Sequence, residues 1–191
     1  MAKQRPIFIF VHLVRAVMFA LVIGVTSAAW VWAAEPAPPT PTRLIIPAIG
    51  LDSQVIPVGI NLVQENGKTY GIWQVATNEV GWHNLSAALG LAGNTVLAGH
   101  SDIYAKVFRN LKDIELGDEI IAVAAPTGQT YRYIVTQKFL VREAGVSEET
   151  RLKNAQWILP TQDERLTLVT CAKAGSTHRL IVIARPVIGL D

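Results

Sequence analysis

The hydrophobic residues of the chain fall into short runs, several of them alternating with polar residues, between clusters of turn-forming residues. Runs of this kind predict β-strands. The predicted strands cover residues 43–47, 53–58, 94–100, 119–124, 130–139, 166–171 and 179–185, and residues 59–81 are less clearly assigned. Short helices are predicted at 105–111 and 147–154, the second with Ser147 as its N-cap. The pattern therefore predicts an all-β domain of about eight short strands with two short helices, closed into a barrel.

The longest apolar run lies near the N-terminus and differs from the strands. Residues 16–34 contain no charged side chain and would span about 28 Å as a helix, close to the thickness of a bilayer core. Lys3 and Arg5 precede the run, and Trp30 and Trp32 lie at its far end, where interfacial aromatic residues are common. We expect residues 1–34 to form a cytoplasmic stub and a transmembrane signal-anchor, with the N-terminus inside and the rest of the chain outside.

A cleaved signal peptide is the alternative for this segment. Trp32 would stand three residues before a cut after Ala34, where a small residue is needed, so an uncleaved anchor is favoured. Residues 35–42 contain four prolines, which predicts a stiff extended linker. Residues 43–191 are then the folded domain.

The charge balance argues against nucleic acid as a partner. The chain has 17 Lys and Arg against 15 Asp and Glu, but Lys3, Arg5 and Arg15 all precede residue 35. The remainder therefore has a formal charge of −1 and lacks the excess of cations that binds phosphate backbones. The chain contains one cysteine, so no disulfide forms within it, and an unpaired cysteine in an exported protein indicates a reactive thiol or an intermolecular bridge.

That cysteine, Cys171, ends one predicted strand, and Arg179 begins the next. If the two strands pair, the loop between them returns the guanidinium toward the thiol. A fixed cation beside a cysteine favours the thiolate, which is the nucleophilic form. A buried, inert thiol is the alternative interpretation, because a single cysteine is most often a small core residue.

A nucleophilic cysteine needs a proton-transfer partner, usually histidine. His12 is excluded because it belongs to the predicted N-terminal membrane region. His178 directly precedes Arg179, so on a strand their side chains point to opposite faces, and if Arg179 faces Cys171 then His178 does not. His100 ends a predicted strand, as Cys171 does, and is the favoured candidate. His83 lies in a predicted loop and is the second choice.

The residues around these positions resemble the sortases, the cysteine transpeptidases of bacterial surfaces. Thr-Leu-Val-Thr-Cys at 167–171, Thr-His-Arg-Leu-Ile-Val at 177–182 and Leu-Ala-Gly-His at 97–100 are similar to that family's active-site motifs. The similarity covers roughly residues 42–187 and implies an eight-stranded sortase-like β-barrel. It also implies that Cys171 is the nucleophile, His100 the general acid–base, and Arg179 a donor to the oxyanion or the substrate backbone.

The resemblance implies a membrane-anchored enzyme that cleaves a C-terminal sorting signal of the LPxTG type through a Cys thioacyl intermediate. The acyl group would pass to an amine acceptor of the cell wall or of another surface protein. An Asp-Pro-aromatic lid motif, as in pilin-polymerising members, is not found before the barrel, and the subclass stays open. The alternatives are a catalytically inert surface-binding barrel and, less favoured, an L,D-transpeptidase-like enzyme, whose cysteine follows Ser-x-Gly.

No cofactor is expected, with calcium as a minor alternative. Glu143, Glu148 and Glu149 cluster between the last hairpin and the Cys171 strand, where some sortases bind Ca²⁺. Three carboxylates would supply part of a shell of six to eight oxygens. A solvated acidic loop is the favoured interpretation.

Overall fold

The computed structural model describes residues 35–65, 67–172 and 177–187. The predicted membrane segment, residues 1–34, lies outside this part of the chain. Within the described residues, no helix has both the length and the hydrophobicity needed to cross a bilayer.

Eight of the strands in the described residues form a closed barrel, in the order β1-β2-β5-β6-β9-β10-β8-β7. The other two, β3 and β4, pair only with each other as a hairpin. The strands are β1 (Thr40–Ile46), β2 (Leu51–Val58), β3 (Ile60–Glu65), β4 (Lys68–Trp73), β5 (Val80–His83), β6 (Asn94–Ala98), β7 (Glu119–Ala125), β8 (Thr130–Arg142), β9 (Arg165–Cys171) and β10 (His178–Pro186). The predicted all-β barrel is therefore confirmed.

Two differences concern the ends and the number of strands. β1 begins at Thr40, three residues before the predicted strand, because Thr40 and Pro41 pair with Ala125 and Ala124 of β7. The unclear stretch 59–81 contains the β3–β4 hairpin and the start of β5. The hairpin was missed because its apolar residues, such as Leu62 and Ile72, are exposed and do not mark a core face.

One of the two predicted helices is confirmed. Helix α1 (Glu148–Ala155) begins after Ser147, whose hydroxyl accepts the backbone N–H of Thr150 at 3.2 Å, as the N-cap prediction requires.

The prediction of a helix at 105–111 is wrong. Tyr104 and Lys106 adopt left-handed backbone angles, with φ of 55° and 53°. Lys106 lies within the predicted range and Tyr104 directly before it, so the right-handed geometry that a helix needs is broken at its start, and the segment forms a series of turns. A single turn of 3₁₀-helix follows at Leu111–Asp113.

The barrel core determines which way the strands near Cys171 point. Leu166 and Leu168 of β9 and Leu180 and Val182 of β10 pack in the core. Side chains alternate along a strand, so the intervening residues, Cys171 among them, take the outer face of the barrel. The cysteine therefore lies outside the core, at the end of a strand.

Candidate active site

Cys171 and Arg179 are direct neighbours across two antiparallel strands. Their Cα atoms are register partners in the β9–β10 ladder. Paired residues project to the same face, and Arg179 Nη1 lies 3.5 Å from Cys171 Sγ as a hydrogen-bond donor. Both side chains are partly buried. The geometry places a permanent positive charge beside the sulfur, where it stabilises negative charge on that atom.

The other side of Cys171 is occupied by the chain that follows β6. Strand β6 runs parallel to β9, with Ala98 beside Val169 as the last register pair. Strand β9 continues two residues further, and the chain after β6 stays hydrogen-bonded to it. The Gly99 N–H donates to the Val169 carbonyl at 3.2 Å, and the buried Thr170 hydroxyl donates to the Gly99 carbonyl at 2.7 Å. These bonds hold the residue after Gly99, which is His100, alongside the end of β9.

His100 is held by its neighbours on both sides. The hydroxyl of Ser101 donates to the Cys171 carbonyl at 2.8 Å, and the His100 carbonyl accepts the Phe108 N–H at 2.9 Å. The imidazole packs against Tyr104, with ring centroids 4.9 Å apart. The structure therefore brings the cysteine, the arginine and His100 to one end of the barrel, as the sequence predicted.

Gly99 has a steric role in this arrangement. A Cβ at Gly99 would stand 2.7 Å from Val107 and 2.9 Å from the Phe108 ring, closer than real Cβ contacts allow. The chain carrying His100 can therefore lie against the turns at 107–108 only because this position lacks a side chain.

The other two histidines of the folded domain lie elsewhere. Nδ1 of His178 is 2.9 Å from the Thr177 hydroxyl, and Arg179, next in sequence, takes the face of Cys171. His83 is 4% exposed and stacks in parallel on Trp73, with centroids 4.1 Å apart. Burial lowers the pKa of His83 to about 4, so its ring is neutral at pH 7.

A cleft of about 520 Å³ runs along the outer face of the barrel to Arg179. We call it the outer cleft. Its floor is Val169 and Ile181 of β9 and β10, and its walls are the β3–β4 hairpin and helix α1. The Lys68 ammonium of the hairpin pairs with the Glu148 carboxylate of α1 at 2.9 Å, so the two walls contact each other. An extended peptide in this cleft would have one end beside the thiol.

Two residues of this site were missed from the sequence, and a third, Thr170, was considered but interpreted as a packing residue. Ser101 and Thr170 act through hydrogen bonds to the backbone, and Trp73 lines the outer cleft. The only sequence signal for Ser101 is a hydroxyl next to the predicted histidine. Nothing local marks Trp73, because its place depends on how the hairpin folds over β5.

The described residues contain no group of three or more His, Cys, Asp or Glu side chains that could hold a metal ion. Of the three glutamates considered for calcium, Glu148 pairs with Lys68 instead.

Comparisons with known proteins bear on the family and the fold. The family model described as the sortase domain matches residues 44–187. No functionally curated protein matches the chain significantly.

Solved structures with the same fold include several sortases. A lid mutant of sortase A from Corynebacterium diphtheriae is 23% identical with a TM-score of 0.58, covering 82% of this chain and 74% of that one. The Clostridium perfringens sortase D5 transpeptidase is 23% identical with a TM-score of 0.57, covering 78% and 79%. Streptococcus agalactiae sortase C1, in its complex with MTSET, is 20% identical with a TM-score of 0.56, covering 78% and 68%. The fold is thus shared with sortases of different classes, and because the family model spans most of the barrel, the chain belongs to the sortase family.

Proposed function

We propose that this protein is a membrane-anchored sortase that cleaves an LPxTG-like sorting signal and transfers the acyl part to an amine of the cell wall or of another surface protein. The observation that carries the proposal is the Arg179–Cys171 contact at the end of the outer cleft. It places the sulfur and a permanent positive charge together where a bound peptide would end. The family implies cysteine transpeptidase chemistry, and the contact supports Cys171 as its nucleophile.

In the first half-reaction the Cys171 sulfur attacks the carbonyl carbon of the scissile peptide bond. The carbonyl oxygen becomes an oxyanion, toward which the Arg179 guanidinium donates hydrogen bonds. The C–N bond then breaks, and His100 as imidazolium gives its proton to the leaving amine. The product is a thioester between the acyl fragment and Cys171.

In the second half-reaction an acceptor amine attacks the thioester. His100, now neutral, takes a proton from the attacking nitrogen, and the C–S bond breaks as the new amide forms. The sulfur leaves as a thiolate beside Arg179, whose positive charge stabilises it. His100 loses one proton in the first half-reaction and regains one in the second, so the enzyme returns to its starting protonation state.

The test of this function uses the full chain in detergent with LPxTG, LPxTA and LAxTG peptides and a small primary amine. We expect at least one peptide to yield both the released C-terminal fragment and the acyl-amine product, identified by mass spectrometry. The absence of cleavage for every peptide would overturn the proposed sorting signal. Cleavage without amine transfer would mean that the enzyme is a hydrolase.

The anchor is part of the proposal and has its own test. Residues 16–34 carry no charge and follow basic residues, so we expect an uncleaved segment that places the barrel outside the cell. Mass spectrometry of the protein extracted from membranes should give the N-terminal residues of the full chain. A mature N-terminus near Ala34 or Glu35 would show that the segment is a cleaved signal peptide.

Arg179 is expected to require its planar guanidinium and not charge alone. Lysine keeps the positive charge but loses the fork of five donors with which arginine can hold both the sulfur and an oxyanion. We expect turnover of the best peptide to fall about 10²–10³-fold in Arg179→Ala and almost as far in Arg179→Lys, as for loss of an oxyanion donor.

Arg185→Lys is the matched control for this experiment. Arg185 lies at the other end of β10 and pairs with Asp163, so its replacement should leave turnover close to wild type. An Arg179→Lys variant within about tenfold of wild type, or about 1.4 kcal/mol, would show that Arg179 acts mainly through its charge.

A further inference from the structure

His83 is a buried polar side chain whose ring nitrogens have no partner. It is 4% exposed, and among the residues that the structure describes, neither Nδ1 nor Nε2 has a hydrogen-bond partner. Buried polar groups in native proteins are nearly always hydrogen-bonded, because leaving one unpaired destabilises the fold. Since the reaction proposed above does not use His83, its unpaired nitrogens call for a separate explanation.

The surroundings of His83 hold its ring in place but offer no hydrogen-bond partner to the ring nitrogens. Its backbone carbonyl accepts the Ser86 N–H at 2.8 Å and the Ser86 hydroxyl at 2.6 Å. Its ring lies flat on Trp73, with 4° between the planes. The stack covers a face of the imidazole, while the nitrogens lie in the ring plane at its edge. The ring is therefore held in place with its hydrogen-bonding groups unused.

The ring also lines the outer cleft, the same cleft that reaches Arg179. The cleft is lined largely by apolar groups, among them Val63, Ile72, Val169, Ile181, Leu152 and Ala155. A neutral imidazole offers one donor and one acceptor and carries no charge of its own. It therefore suits an uncharged polar partner better than a charged one, whose lost hydration it could not offset with a counter-charge.

We propose that His83 is a substrate-binding residue: a ring nitrogen hydrogen-bonds to an uncharged polar group of the peptide in the outer cleft, and so helps to select the sorting signal. This inference rests on the proposed function. It adds a residue that recognises a part of the peptide other than the scissile bond. The occupant is an extended peptide with mainly apolar side chains and one amide or hydroxyl group opposite His83. Stacking on Trp73 orients the imidazole before the peptide arrives.

The principal test compares His83→Phe with wild type in the full chain, using the panel peptide that wild type turns over fastest. Phenylalanine keeps the ring and its stack on Trp73 but has no nitrogen. We expect KM to rise and kcat/KM to fall about tenfold, because the peptide's polar group is then buried unpaired, while kcat changes little. We expect the melting temperature to stay the same or rise, because an unsatisfied group has been removed.

Two further variants separate hydrogen bonding from shape. His83→Asn places an amide nitrogen near the position of Nδ1, and His83→Gln places one near Nε2. At least one of them should keep kcat/KM within about threefold of wild type, which also identifies the nitrogen used. If both fall as far as His83→Phe, the ring acts through its shape and the proposal is wrong.

Trp82→Phe is the matched control. Trp82 precedes His83 on β5 and also has a buried, unpartnered N–H, but it packs in the barrel core. Its replacement removes a nitrogen of the same kind away from the cleft, so KM should not change.

A scan of the peptide completes the experiment and separates this inference from the proposed function. Each amide upstream of the scissile bond is replaced by an ester, and each polar side chain by an apolar one of similar size. One replacement should lower the kcat/KM of wild type about tenfold and leave the kcat/KM of His83→Phe unchanged. A purely structural role of His83 would not couple the two changes in this way. If wild type is active but the kcat/KM of His83→Phe lies within about twofold of it, or if no peptide position is coupled to His83, the proposed role of His83 is wrong and the proposed function stands. Wild type inactive on every peptide overturns the proposed function and this inference together.

Discussion

Cys171→Ala should abolish both cleavage and amine transfer while the barrel stays folded. The thioester can form only on a sulfur, and Cys171 carries the only thiol of the chain. Its side chain is partly exposed on the outer face of the barrel, so its loss creates no cavity in the core. The measurement is product formation from the best peptide by mass spectrometry, together with a search for an acyl-enzyme adduct.

The controls for this variant are folding and thiol reactivity. Its circular dichroism spectrum should match that of wild type. A methanethiosulfonate reagent should label the folded wild type and not the variant, because the thiol is partly exposed. Residual acyl-enzyme in Cys171→Ala would refute the nucleophile assignment, and a wild-type thiol that reacts only after unfolding would support the inert-barrel alternative.

His100→Ala should reduce turnover at least about 10²-fold, the lower end for loss of a general acid–base. In the variant, no imidazole stands beside the end of β9 to protonate the leaving amine or to deprotonate the acceptor. The backbone bonds that hold this segment, from Gly99 to Val169 and from Phe108 to the carbonyl of residue 100, do not depend on the side chain. The fold should therefore persist, and steady-state kinetics with the best peptide measure the effect.

His178→Ala is the comparison for this effect. His178 precedes Arg179 on β10, and successive strand residues point to opposite faces, so this imidazole is directed away from the sulfur. We expect a loss far smaller than that of His100→Ala. If His178→Ala proves the more damaging change, or if His100→Ala stays within tenfold of wild type, the assignment of the acid–base is wrong.

The geometry of the candidate site was largely predictable because its parts are local in sequence. The Cys171 strand and the Arg179 strand are consecutive, and consecutive strands usually pair, so the return of the arginine to the thiol followed from the pattern. The placement of His100 needed more, because β6 and β9 are parallel neighbours some 70 residues apart. There the prediction rested on the position of His100 at the end of a predicted strand and on the motif Leu-Ala-Gly-His.

The prediction of a helix at 105–111 was wrong for a reason that the spacing of hydrophobic residues does not reveal. Val107, Phe108 and Leu111 have helical spacing, and they do pack against or within the core. They reach it from a series of turns, because the tight contact of Phe108 with Gly99 and the left-handed residues Tyr104 and Lys106 exclude a helix. The residues predicted to be buried are thus buried, but tertiary packing favours turns over the helix that their spacing predicted.

The barrel, the N-capped helix and the three candidate site residues could all be predicted from the sequence, because alternation, capping and short motifs act over a few residues. The structure was needed to show that the β3–β4 hairpin and helix α1 line a cleft on the outer face of β9 and β10. The structure also shows that His83, predicted to lie in a loop, ends strand β5 and stacks on Trp73 with its ring nitrogens unpaired among the described residues. Both features depend on how the β3–β4 hairpin folds onto the barrel. That placement involves contacts such as that of Lys68 with Glu148, 80 residues apart, which no local sequence pattern reveals.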